Sequence, residues 1–122
     1  MILVDTSIWV DHLNHGDDRL ISALSRTQVL SHPFVLGEIA LGNLRQRDLV
    51  LGEMRNLPKA VVASDTEVLD LIAHHRLFGL GIGYVDAHLL AATLLTAGSS
   101  LWTRDKRLDA VAKTIGVSAD FE

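Results

Sequence analysis

The chain has 122 residues, 48% of them hydrophobic, with 15 acidic residues against 11 basic ones, a formal charge of −4 and no cysteine. This length fits one domain, and the apolar fraction is enough for a sizeable core. Without cysteine there are no disulfides, thiolate zinc sites or thiol catalysis. No apolar run approaches the ~20 residues of a membrane span, and the acidic balance argues against nonspecific nucleic-acid binding, which takes a basic surface.

The opening "MILVDTSIWVDHL" has no basic leader, and Asp5 breaks its apolar stretch, so it does not read as a signal peptide. A cytoplasmic location fits both this and the lack of cysteine. Residues 1–4 read as a short buried strand. Thr6 or Ser7 can cap a helix through Leu13 that Gly16 ends. Asp17 and Asp18 open a second helix with Leu20, Ile21 and Leu24 on its apolar face. Residues 28–31 read as a second strand, and Pro33 is placed for the first turn of the helix that follows. Another helix covers about 46–56.

Residues 60–64, "AVVAS", read as a third strand. Residues 65–77 form an amphipathic helix with Val68, Leu69 and Ile72 inward. A glycine-rich loop at 78–83 leads to a helix that ends at Gly98. Residues 99–103 read as a fourth strand, 105–116 as a last helix and 117–121 as a fifth strand. Short apolar strands alternating with helices predict an α/β sandwich around a parallel sheet. Ligands of such sheets collect at the carboxyl ends of the strands, where Asp5 and Asp105 stand.

Four acids differ from the rest by their surroundings. Asp5 follows "ILV" and Asp105 follows "LWT". Glu38 is the only charge in 33–44, and Asp86 the only charge between Arg76 and Arg104. Asp17, Asp18, Asp48, Glu53, Glu67 and Asp70 lie in mixed polar contexts and read as solvated helix faces. Taken singly, Asp5, Asp86 and Asp105 read equally well as helix caps or first-turn acids. The Glu38 helix is apolar nearly all round, which predicts a buried carboxylate in need of a partner. Gathered at one crevice, the acids would repel. Two unit charges ~4 Å apart cost ~4 kcal/mol at an effective dielectric of ~20. A hard divalent cation would reconcile them, and oxygen ligands without cysteine favour Mg²⁺ or Mn²⁺ over Zn²⁺.

Four stretches, "VDTSIW" (4–9), the Glu of "LGEIALG" (36–42), "GYVDAHLLAA" (83–92) and "LWTRDKRL" (101–108), occur in an order that resembles the PIN-domain ribonucleases. The resemblance is closest to the VapC-type toxins of toxin–antitoxin pairs and covers essentially the whole chain. It implies a single PIN-like domain over 1–122, a three-layer α/β sandwich with a central parallel sheet. It also implies an endoribonuclease that hydrolyses RNA phosphodiester bonds with Mg²⁺ or Mn²⁺. By match, the catalytic acids are Asp5, Glu38, Asp86 and Asp105, with Asp5, Asp86 and Asp105 on the metal. Thr103 matches a hydroxyl position near the metal, and Thr6 is a second candidate. The resemblance further implies a homodimer and an inhibitory antitoxin that covers the cleft.

A metal on carboxylates suits this hydrolysis because it acidifies a bound water and offsets charge on the transition state. No side-chain nucleophile with a paired base is visible. The histidines lack ligand spacing, and Ser7 reads as a plain helix residue. Arg45, Arg47, Arg104, Lys106 and Arg107 flank the predicted site and read either as phosphate contacts or as a solvated charged face. With 5% aromatics, base stacking is not expected to dominate affinity. One alternative is a receiver-like phosphoacceptor domain, with Asp65 as acceptor after "AVVAS"; no lysine follows in "VSADF" to complete it. The other is a PIN-fold binding module without activity, against which the presence of all four acids speaks.

Overall fold

The computed structural model describes residues 1–119. Strands β1 (Ile2–Val4), β2 (Val29–Leu30) and β3 (Ser100–Trp102) form one parallel sheet in the order β2-β1-β3. Ile2 registers with Val29 on one side and with Ser100 on the other. The sheet continues past both edges by single bridges, Ser31 with Lys59 and Leu101 with Ser118.

Those bridges correct two expectations. The predicted strand at 60–64 shrinks to the contact at Lys59, where Ala60 N–H reaches Ser31 O at 2.9 Å. The next amide, Val61 N–H, turns to the Thr96 hydroxyl instead of a neighbouring strand. The predicted strand at 117–121 shrinks to Leu101 N–H on Val117 O and Ala119 N–H on Leu101 O; its last two residues lie outside the described ones. Edge residues with one neighbour have half a ladder to make, and here the chain leaves after one pair.

The helices are α1 (Thr6–His15), α2 (Asp18–Ser25), α3 (Pro33–Ala40), α4 (Arg47–Arg55), α5 (Asp65–His74), α6 (Tyr84–Leu95) and α7 (Lys106–Thr114). Asp5, rather than Thr6 or Ser7, is the N-cap of α1, and Gly16 ends that helix at φ 75°. Ser64 and Glu67 make a reciprocal capping box at α5. Ile21 and Leu69, expected inward, are exposed, and Leu71 takes the buried position on α5. The neighbours Leu20 and Val68 already fill the core-facing row, and adjacent helical residues point about 100° apart.

Strand order fixes the layers. Parallel crossovers are right-handed, so the steps β1 to β2 to Lys59 place α1–α4 on one face. The return to β3 and on to Ser118 places α5–α7 on the other. The packing agrees: α1 rests on α3 and α3 on α4, while α5 rests on α6, and α6 and α7 on β3. The core is Leu3, Val4 and Leu101 of the sheet against Ile8, Leu20, Val35, Leu89 and Leu90. β1 and β3 are neighbours whose carboxyl ends lead to helices on opposite faces, α1 and α7. A crevice opens at such a switch point. Among the described residues, no helix is long and apolar enough to cross a membrane.

Candidate active site

Asp5 leaves β1 directly into this crevice. It is 7% exposed, and both its oxygens are occupied. Oδ1 accepts from Thr6 N at 2.7 Å. Oδ2 accepts from Ser7 Oγ at 2.9 Å and from Thr103 Oγ1 at 2.6 Å. Each hydroxyl in turn accepts a backbone amide, Ser7 from Arg104 and Thr103 from Asp105, at 3.1 and 3.0 Å. The carboxyl end of β1 is thereby tied to the carboxyl end of β3. Residue 103 must be a hydroxyl for this: it donates and accepts at once.

Asp105 is the N-cap of α7, with Oδ1 accepting from Arg107 N and Leu108 N. Asp86 reaches back one turn to accept from Gly83 N at 3.0 Å through Oδ2. The cap readings of all three aspartates therefore hold, and for Asp86 and Asp105 they use one carboxylate oxygen, leaving the other for a ligand. Three helix N-termini with their positive dipole ends carry the three aspartates, which lowers the cost of gathering them.

Glu38 is exposed, not buried as expected. It lies two-thirds of the way along α3, on the side turned from the core that Val35 and Ile39 face. Thr6 Oγ1 donates to Glu38 Oε1 at 2.6 Å. That bond holds Glu38 to the first turn of α1, one residue from Asp5. Asp86 feels the charges of the other three acids. Burial raises its carboxyl pKa most, the Gly83 N–H opposes this, and the charges of Asp5, Asp105 and Glu38 raise it further. Among the described residues, no three acids or imidazoles are drawn together tightly enough to hold an ion as they stand. The four carboxylates share one field without closing on one point.

The predicted basic residues fare differently. Arg104 is engaged away from the crevice, paired with Asp11 and, at 3.1 Å, with Asp17, so it ties α7 to α1 and α2. Arg47 donates to Ala40 O at 2.6 Å and closes the turn after α3. Arg45 and Lys106 are exposed. Arg107 lies against Gly81 of the glycine-rich loop. Asp65 is the first residue of α5 and follows no strand, so it lacks the strand-end place that a phosphoacceptor takes; it accepts from the Tyr84 hydroxyl at 3.0 Å.

Two features were not foreseen. Ser7, read as a plain helix residue, shares the Asp5 Oδ2 bond; the spacing in "DTS" is the signal, since a hydroxyl two residues past an Asp can fold back on it. His32 and His88 are buried beside the crevice. His32 caps α3 by accepting Phe34 N–H at 3.1 Å through Nδ1. Its Nε2 and both nitrogens of His88 make no hydrogen bond. His88 Nε2 lies 3.4 Å from Asp65 Oδ1, and its ring packs edge-on with Phe34 and Tyr84, both at 4.7 Å. Burial first, and then His88, push the His32 pKa down to about 4. Nothing in the sequence spacing of residues 32 and 88 pairs them.

These observations define an α/β protein with an oxygen-only acidic crevice at the switch point of a parallel sheet. The PIN-domain family model matches residues 2–114. The chain is 48% identical to Ribonuclease VapC32 of Mycobacterium tuberculosis, in strains CDC 1551 / Oshkosh and H37Rv, over 118 residues covering 97% of this chain and 95% of the relative. The chain belongs to the PIN-domain family.

Proposed function

We propose that the chain is a metal-dependent endoribonuclease that hydrolyses RNA phosphodiester bonds, the toxin component of a toxin–antitoxin pair. The ribonuclease class follows from the family and from the similarity to the VapC ribonuclease. PIN-domain ribonucleases of that kind generally require a divalent cation. The observation that supports the site assignment is Asp86, a half-buried carboxyl whose pKa is raised by burial and further by the like charges of Asp5, Asp105 and Glu38. The donor set fits a hard cation: Asp5, Asp86 and Asp105 would hold Mg²⁺ or Mn²⁺, with Glu38 completing the crevice.

When bound, such an ion acidifies a water and offsets charge on the phosphorane-like transition state. The protein's own part is positioning. Thr103 and Ser7 fix the plane of the Asp5 carboxylate, and Gly83 fixes Asp86. Thr6 holds one oxygen of Glu38, so the other is available to orient the attacking water or take its proton. Wild-type cleavage of RNA with Mn²⁺, abolished by EDTA and by Asp86→Asn, tests this reading. Full activity in Asp86→Asn removes that residue from the site. The same loss of metal-dependent cleavage separates the enzyme from a silent binding module of the same fold.

A cognate antitoxin as inhibitor, a cytoplasmic location and a homodimer complete the reading. The VapC name of the relatives supports the first. Of Leu49, Val50 and Leu51, whose apolar run suggested a surplus over one core, Leu51 is buried and Val50 half-buried, so the homodimer rests on the family resemblance. A monomeric mass by light scattering at micromolar concentration removes the dimer.

A further inference from the structure

The glycine-rich loop, 78–83, ends at Gly83, which holds Asp86, and is built of unusual backbone. Arg76 just before it, Gly79 and Gly81 all have positive φ. At Gly79 an added β-carbon would meet nothing within 4 Å, so glycine is needed there for its φ alone. Gly81 is different. A β-carbon there would lie 2.7 Å from Arg107 Nη1 and 3.0 Å from Arg107 Cδ. The Arg107 side chain thus lies directly against the Gly81 backbone, whose φ of +78° suits glycine.

That seat restricts a long side chain without using its donors. Among the described residues Arg107 has no ion pair and no side-chain hydrogen bond, in contrast to Arg104 beside it. Its backbone amide caps onto Asp105, so the side chain springs from the rim of the acidic crevice. A planar guanidinium on this rim with its donors free matches the oxygens of a phosphodiester. Residues of the loop also line a cavity of about 210 Å³. Its walls include Ile72, Leu77, Ile82, Phe78 and Tyr84. Phe78 and Tyr84 are 61% and 48% exposed, apolar rings facing water. Arg76 lies over the Phe78 ring at 5.8 Å and steadies it. The last lining residue of the loop, Gly83, holds the Asp86 carboxylate. Gly81 and Gly83 are two residue steps apart with Ile82 between them, at most about 7 Å of extended chain. Phosphate seat, acid and cavity therefore lie within the span of a nucleotide or two.

We infer that this loop and Arg107 grip the RNA strand beside the scissile bond. Arg107 binds a phosphate of the strand, and the cavity between Phe78 and Tyr84 takes one unstacked base. The inference rests on the ribonuclease reading for the identity of the polymer. Single-stranded RNA offers alternating charge and flat apolar surface, which one cation and one aromatic slot match in turn. Arg107 and Phe78 act here as substrate-positioning residues; the acids do the chemistry.

The test uses a fluorescein-labelled single-stranded RNA of mixed sequence with wild type, Arg107→Ala, Arg107→Lys, Gly81→Ala and Phe78→Ala. Arg26→Ala is the control, removing the same charge at the opposite end of the sheet. Folding of each variant is checked by circular dichroism. Cleavage with Mn²⁺ gives kcat and KM, fluorescence anisotropy in EDTA gives affinity without cleavage, and sequencing of product ends gives base preference. Arg107→Ala should raise KM and weaken binding about tenfold with kcat little changed, and reduce the salt slope by about one. Gly81→Ala should move the same way, since it unseats the guanidinium, and Arg107→Lys should recover part of the loss. Phe78→Ala should weaken binding about tenfold and flatten base preference at one flanking position. If Arg107→Ala and Phe78→Ala match the Arg26→Ala control in all three readouts, or if wild type binds no RNA, the inference is overturned. If wild type binds through Arg107 and Phe78 but cleaves no RNA with either metal, the grip stands and the nuclease reading falls.

Discussion

Thr103 donates its hydroxyl hydrogen to Asp5 Oδ2 at 2.6 Å, joining the ends of two strands that are 98 residues apart in the chain. The same oxygen accepts the Asp105 amide. Removing the hydroxyl leaves Asp5 short of a donor and the Asp105 amide short of an acceptor. Thr103→Val should therefore lower Mn²⁺-dependent cleavage about 10- to 100-fold, the usual effect of losing a group that orients a metal ligand. Thr103→Ser should retain most of it. Equal activity in Thr103→Val and wild type would show that Asp5 needs no such orientation.

Asp5 and Asp86 should respond in opposite ways to the same substitution. Asp5 accepts three hydrogen bonds, two of them from hydroxyls, so Asp5→Asn puts an amide where an acceptor is required. In EDTA that variant should melt below wild type, by about 4 °C for about 1 kcal/mol lost. The Asp86 pKa is raised in the folded protein, so folding disfavours its charged form. The penalty appears as pH rises through the unfolded value near 3.8 and is fully present at neutral pH. Asp86→Asn removes it and should melt at or above wild type in EDTA. A lower melting temperature for Asp86→Asn would count against carboxylate repulsion at the site.

Metal should raise the melting temperature of the wild type. An ion bound only to the folded state stabilises it by about 2.7 kcal/mol at a hundredfold excess over Kd, on the order of 10 °C here. Asp5→Asn and Asp86→Asn should each lose most of that shift. Wild-type melting that ignores millimolar Mn²⁺ and Mg²⁺ would remove the metal assignment of all three aspartates.

Acid should destabilise the fold through His32. Its folded pKa is depressed to about 4, against 6.5 for the unprotected ring. The unfolded chain binds a proton that the folded chain refuses in this window. Stability is thus complete above about pH 6.5 and falls between 6.5 and 4, by about 3 kcal/mol for the full shift. In His32→Asn the amide oxygen can still accept the Phe34 N–H, but nothing titrates. The slope of denaturation free energy against pH should shrink in that variant, whatever its absolute stability. An unchanged slope would place the acid sensitivity elsewhere.

Arg104 separates a structural cation from a substrate contact. It is partly exposed and bridges Asp11 and Asp17, a network of the kind whose loss costs about 1 kcal/mol. Arg104→Ala should lower melting by a few degrees and leave KM for RNA unchanged. A raised KM at unchanged stability would return Arg104 to the RNA surface.

The sequence by itself determined the helices and the three central strands, and it marked out the acids proposed for the site. Asp5, Asp86 and Asp105 stand out because charge directly after an apolar strand, or alone in a long apolar run, is costly without a purpose. Helix starts were legible for a local reason: a cap is an interaction within four residues. Only tertiary structure decided which acids face each other and how they are held. Strand order β2-β1-β3 makes the ends of β1 and β3 neighbours, and the Thr103 bond to Asp5 exists only once they are. Glu38 shows the limit from the other side. Its apolar helix predicted burial, yet the face of α3 it occupies turns away from the core, and a period of 3.6 cannot say which side of an apolar helix a fold will cover. The two outer strands failed likewise, because pairing depends on a partner's edge rather than on β-propensity. The seat of Arg107 on Gly81 and the burial of His32 beside His88 have no local signal at all. They arise from contacts between elements far apart in the chain, which sequence separation does not encode.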